Sequence, residues 1–154
     1  MELFLVRHGI AEPLPEGAGE EADDARALTP KGVRRFRKVV KGLSALGVEL
    51  DLILTSPKRR ALETAELLSD LLSGETRVTP HLAEPPGEAL LAEIPQEGRV
   101  ALVGHEPYLS ALLGWLLFGD LLGGPCGRPS RAASSSRRAG WPGWRGRRAS
   151  GAWP

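Results

Sequence analysis

Three short apolar runs, at 3–6, 50–54 and 99–103, lack the alternation of a half-exposed strand and match strands buried on both faces of a parallel sheet. Helical patterns fill the gaps between them. Thr29 reads as an N-cap with Pro30 in the first helical position, and Val33, Phe36, Val39, Val40 and Leu43 then form one apolar face that Gly47 closes. A second helix is predicted over 59–72, with Ala61, Leu62, Ala65, Leu68 and Leu72 inward and Gly74 as its stop. A short third is predicted over 88–94. A fourth, over 107–118, is apolar around most of its circumference through Leu109, Leu112, Leu113, Leu116 and Leu117. Strand and helix in alternation imply right-handed crossovers, hence an α/β fold: a three-layer α/β/α sandwich with a mainly parallel sheet. Ligands of such folds bind beyond the carboxyl ends of the strands.

The points where the apolar runs stop are therefore the places to look for chemistry. The first stops at Arg7-His8-Gly9, the second at Thr55-Ser56-Pro57 with Arg59, Arg60 and Thr64 just beyond, and the third at Gly104-His105-Glu106-Pro107. All three sets face one edge of the expected sheet. Two histidines and at least two arginines converging there suit an anion with several oxygens, because guanidinium forks bind phosphate in pairs and stay charged. Neighbouring cations also disfavour an imidazolium, leaving a neutral ring with a nucleophilic nitrogen. A covalent phosphohistidine step follows naturally. Gly9, with no side chain, would let backbone N–H groups approach phosphoryl oxygens. No carboxylate cluster suggests a metal, and no cofactor is expected.

Taken singly, these residues say less. Ser56-Pro57 reads first as a helix start, His105 as a core or loop histidine, and His81 as an ordinary surface residue with no evident partner. Together they carry a resemblance. Arg7-His8-Gly9, then the block over 56–65, then Val103-Gly104-His105-Glu106 resemble, in order and spacing, the three motifs of the histidine phosphatase superfamily, the phosphoglycerate mutase-like enzymes. With Arg26-Ala27-Leu28-Thr29-Pro30-Lys31-Gly32 close behind the first motif, the chain is most similar to the short bacterial phosphohistidine phosphatases of the SixA type. The resemblance implies that His8 attacks phosphorus while Arg7, Arg60 and His105 hold the equatorial oxygens, and that Arg26 adds a further phosphate or substrate contact. Arg60 matches the family position; Arg59, about 100° away on a helix, is expected in solvent. Glu84 is the candidate general acid, although the SixA type generally lacks one and a protonated imidazole leaves readily. The expected substrate is phosphohistidine in a phosphorelay protein. The alternatives are a small phosphate ester, sugar- or nucleotide-like, and a non-catalytic phosphate- or nucleic-acid-binding protein.

Charge divides the chain. Its 154 residues carry a net charge of +1, but the first 122 hold 13 Lys/Arg against 19 Asp/Glu and the last 32 hold seven Arg and no acid. The expected domain is 1–122. The segment 123–154, with seven Gly, four Pro, five Ser and no Val, Ile, Leu, Met, Phe or Tyr, reads as a disordered or frameshifted tail that cannot supply the later strands of the family. Its rival reading, Arg and Trp contacting nucleic acid, ranks second. Six acids between Glu12 and Asp24 leave the sheet beside the first motif, an acidic flap that would steer basic partners or simply a solvated loop. No run approaches the roughly 18 apolar residues of a membrane span, and Cys126 alone cannot staple the fold, so a cytoplasmic protein without a membrane partner is expected.

Overall fold

The computed structural model describes residues 1–119; the basic tail at 123–154 lies outside the described residues. Four strands, β1 (Glu2–Arg7), β2 (Leu50–Thr55), β3 (Leu72–Val78) and β4 (Arg99–Gly104), form one sheet in the order β1-β4-β2-β3. Every neighbouring pair is parallel. Residues 100–103 on β4 are fully buried and divide by the two-residue period of a strand. Ala101 and Val103 join Ile53, Phe36, Val40, Ala61, Ala65 and Leu68 on one face. Val100 and Leu102 join Leu52, Leu54, Leu82, Leu90, Leu109 and Leu112 on the other. Helices therefore cover both faces, as the sequence predicts. Each fully buried aliphatic side chain contributes about 1.5–3 kcal/mol.

The helices are α1 (Glu20–Asp24), α2 (Pro30–Ala45), α3 (Arg59–Leu68), α4 (Glu88–Glu93) and α5 (Tyr108–Phe118). Thr29 caps α2 as expected, its Oγ1 accepting from Gly32 N–H at 2.9 Å while its own N–H donates to Ile10 O at 2.8 Å. Val39 and Leu62, expected on inward faces, are largely exposed at the margins of their apolar stripes, and α5 buries only Leu109 and Leu112.

Two elements correct the sequence reading. The helix predicted over 59–72 ends at Leu68; a single 3-10 turn follows, and Leu72 begins β3. Residues 73–78 of this edge strand are exposed, so it carries no apolar run and is held by pairing with β2. Gly74 is no helix stop: a Cβ there would lie 1.9 Å from Asp51 O, so glycine permits the close approach of the two strands. The acidic flap contains α1, which buries none of its residues. Its neck is pinned by the Ala11↔Leu28 bridge and by Glu12 N–H on Ala27 O at 2.9 Å.

Candidate active site

β1 and β4 run in register, Leu5 beside Leu102 and Arg7 beside Gly104, and His8 N–H continues the ladder to Gly104 O at 3.2 Å. The residues that follow, His8 and His105, emerge side by side, with ring centroids 5.0 Å apart and planes tilted by 52°. His8 Nδ1 lies 2.7 Å from the Gly9 carbonyl, which only accepts, so the ring proton sits on Nδ1 and Nε2 keeps its lone pair. Arg60 Nε–H donates to that Nε2 at 3.3 Å. Burial lowers the His8 pKa from its ordinary 6.5; the Gly9 bond opposes this, and the charges of Arg60, Arg7 and Arg26 reinforce it. Near neutrality the ring is neutral, with Nε2 unprotonated.

His105 is buried, with Nε2 2.8 Å from Ser56 Oγ. Ser56 Oγ also accepts from Lys58 N–H at 3.3 Å and keeps a second lone pair and its own proton, so it can pair with His105 Nε2 in either tautomer of the ring. The other ring nitrogen, Nδ1, is buried and has no hydrogen-bond partner among the described residues. Burial, then Arg60 and then His8, push the His105 pKa down to about 4. Ser56 is thus not the N-cap its sequence context suggests. The cap position of α3 belongs to Lys58, and the Ser56 hydroxyl serves a histidine 49 residues away.

Arg60 is 5% exposed, and its guanidinium is engaged on every nitrogen. Besides Nε on His8, Nη1 donates to Asp23 O at 2.6 Å and Nη2 to Asp23 Oδ2 at 3.0 Å. The same carboxylate accepts from Lys58 Nζ at 3.0 Å and from Arg26 Nε at 2.9 Å. Burial alone would raise the Asp23 pKa, but hydrogen bonds from Lys58, Arg26 and Arg60 hold it well below the ordinary carboxylate range. The sequence reading misses Asp23 and Lys58. Their signals are weak: Asp23 is one of six acids in the flap, and Lys58 merely precedes the Arg59-Arg60 pair.

Arg7, His8, Gly9, Arg26, Arg60 and His105 line one cleft. Gly9 does not present its amide there as expected, because its N–H donates to Thr64 Oγ1 at 3.0 Å; its missing side chain instead makes room for Leu28. Thr64 in turn donates to Arg60 O at 2.6 Å, tying α3 to the His8 loop. Arg59 points to solvent, as expected, paired with Glu63 at 2.8 Å. Glu84 is not brought to the cleft: its carboxylate lies 2.5 Å from His81 Nδ1, and Glu93 lies 3.7 Å from the other ring nitrogen. His81 therefore has partners, contrary to its sequence reading. No group of His, Cys, Asp and Glu among the described residues is arranged to hold a metal, and none of their helices is long and apolar enough to cross a membrane.

The sequence profile of the histidine phosphatase superfamily (branch 1) matches residues 3–90. An uncharacterised protein of Picosynechococcus sp. is 39% identical over 128 residues, covering 78% of this chain and 75% of that protein. The phosphohistidine phosphatase SixA of Escherichia coli is 30% identical over 129 residues, covering 78% and 76%. A solved structure of the protein histidine phosphatase SixA complexed with tungstate superposes with a TM-score of 0.61 at 27% identity, covering 75% of this chain and 76% of that one.

Proposed function

The chain belongs to the histidine phosphatase superfamily, and we propose that it is a phosphatase that removes phosphate from phosphohistidine in a phosphorelay protein through a covalent intermediate on His8. One observation carries this reading: a histidine whose proton is locked on Nδ1 by the Gly9 carbonyl keeps an unprotonated Nε2, which among the described residues accepts only from Arg60 Nε–H, in a cleft also lined by Arg7 and Arg26. In the first step Nε2 forms a bond to phosphorus as the bond from phosphorus to the substrate imidazole breaks; that ring takes the bonding pair and, already carrying a proton on its other nitrogen, departs as neutral imidazole. In the second, water attacks the phosphoenzyme and returns Nε2 with inorganic phosphate. In this reading Arg7, Arg60 and His105 balance charge on the phosphoryl oxygens in both steps. Arg26, spent largely on Asp23 and on Glu12 O, helps to shape the rim of the cleft.

Glu84 bears on the leaving group. Held on His81 and away from the lining of the cleft, it fits a reaction that needs no dedicated strong acid, and so fits phosphohistidine better than an alkyl phosphate. The SixA relative supports the same choice. The test is phosphate release, without added metal, from a phosphohistidine protein and from an aryl phosphate in parallel, using wild type, His8→Ala and Glu84→Gln. The expected result is release favouring phosphohistidine, abolished in His8→Ala, unchanged in Glu84→Gln, with an acid-labile phosphoenzyme trapped on wild type. Full activity in His8→Ala overturns the mechanism. Preference for the ester together with loss in Glu84→Gln moves the substrate to small phosphate esters.

A further inference from the structure

The geometry points to Asp23 as the positioning residue that fixes the guanidinium plane of Arg60 against His8. A guanidinium offers two usable edges: the end formed by its two terminal nitrogens, and the side formed by Nε–H and the neighbouring N–H of Nη2. Asp23 takes the end, with its backbone carbonyl on Nη1 at 2.6 Å and its carboxylate on Nη2 at 3.0 Å. The side edge is left facing His8 Nε2, where Nε–H already lies at 3.3 Å. A carboxylate competing with substrate would sit on the side edge. Asp23 sits on the adjoining end, which shares only Nη2 with the side edge, so it can hold Arg60 while Nε–H turns to a phosphoryl oxygen.

The surroundings fit this role. α1 buries no side chain of its own, so little apolar packing sets its place over the cleft. Its grip comes from Asp23 on Arg60, Lys58 and Arg26, and from Asp24 on Lys58 at 2.8 Å, above a neck pinned at Ala11↔Leu28. Lys58, whose burial is outweighed by these two carboxylates so that its ammonium form is favoured, donates to the same Asp23 oxygen as Arg60. The acidic flap thus supplies one anion, Asp23, that aims the cation of the site, and a second, Asp24, that helps to hold Lys58.

This inference rests on the proposed phosphatase reading, and the two fail differently: activity in His8→Ala removes that reading, whereas the following variants test Asp23 alone. Asp23→Ala and Asp23→Asn are compared with Glu21→Gln, which removes an exposed charge from the same helix. With an aryl phosphate and a phosphohistidine protein, Asp23→Ala should lower kcat about 10- to 100-fold without raising KM, the scale of a misplaced catalytic group. Asp23→Asn, which keeps both acceptors for Arg60, should recover part of the loss, and Glu21→Gln should match wild type. NMR titration of His8 gives a second readout that needs no turnover, while partial rescue in Asp23→Asn separates the hydrogen bond from general loosening. The charged groups about His8 are Arg7, Arg26, Arg60 and His105. If Asp23 acts by holding Arg60, Asp23→Ala frees that cation and His8 titrates at higher pH. If it contributes charge alone, its removal shifts the His8 titration to lower pH. A kcat at or above wild type, an equal loss in Glu21→Gln, or a His8 titration that falls or stays fixed each overturns the proposal.

Discussion

Replacing His105 by Asn should flatten the acid side of the stability profile, by an amount the structure sets. The neutral ring is held in a buried site where its pKa is pushed down to about 4, against an ordinary 6.5. Between those values the unfolded chain takes up a proton that the folded chain refuses, so stability present above pH 6.5 is lost as pH falls toward 4. At about 1.4 kcal/mol per pH unit, the loss attributable to this one ring is on the order of 3 kcal/mol by pH 4. The assay is urea unfolding at intervals from pH 7.5 to 4 on both proteins. The asparagine variant should start less stable, having lost the Ser56 contact, and the two curves should converge by about 3 kcal/mol on acidification. The titrations of His8 and Asp23 act in the same direction but are present in both proteins, so they largely cancel in the difference. A constant gap between the curves across this range, or a His105 ring that titrates near 6.5 by NMR, would refute the reasoning.

Ser56→Ala removes the hydroxyl that holds His105 Nε2, and it leaves a buried ring nitrogen unpaired at a cost of about 1–3 kcal/mol in stability. Steady-state rates on an aryl phosphate should show kcat down about 10-fold, less than the 100-fold or more expected on deleting a transition-state donor outright. Gly32→Ala places a Cβ 2.2 Å from Ile10 O, forcing the start of α2 away from the loop that follows His8. Denaturant titration should show a loss of about 1–3 kcal/mol with an unchanged slope.

The buried strands were legible in the sequence because burial on both faces leaves an apolar run that few other structures tolerate, and their ends led directly to His8, Arg60 and His105. β3 was not, since Leu72–Val78 is held by backbone pairing, which any side chain allows. Ser56 shows a different limit: the same serine-proline pair serves equally well to open a helix or to orient a ring, and only the return of β4 beside β2 decides between them. Asp23 was hidden among like neighbours. Six acids lie within Glu12 to Asp24, and what singles one out is the meeting with Lys58 and Arg60, 35 and 37 residues further on.

The pairing of β1 with β4 makes the separation of the His8 and His105 backbones a property of the sheet. Strands lie about 4.7–4.9 Å apart whatever side chains they carry, and the two histidines occupy matching rungs just past the last pair. Their side-chain torsions then set the 5.0 Å between ring centroids and the 52° between planes. Sequence change in the loops at the rim leaves that backbone spacing untouched. A slip of one rung between these two strands, by contrast, would separate the rings and turn one of them to the opposite face.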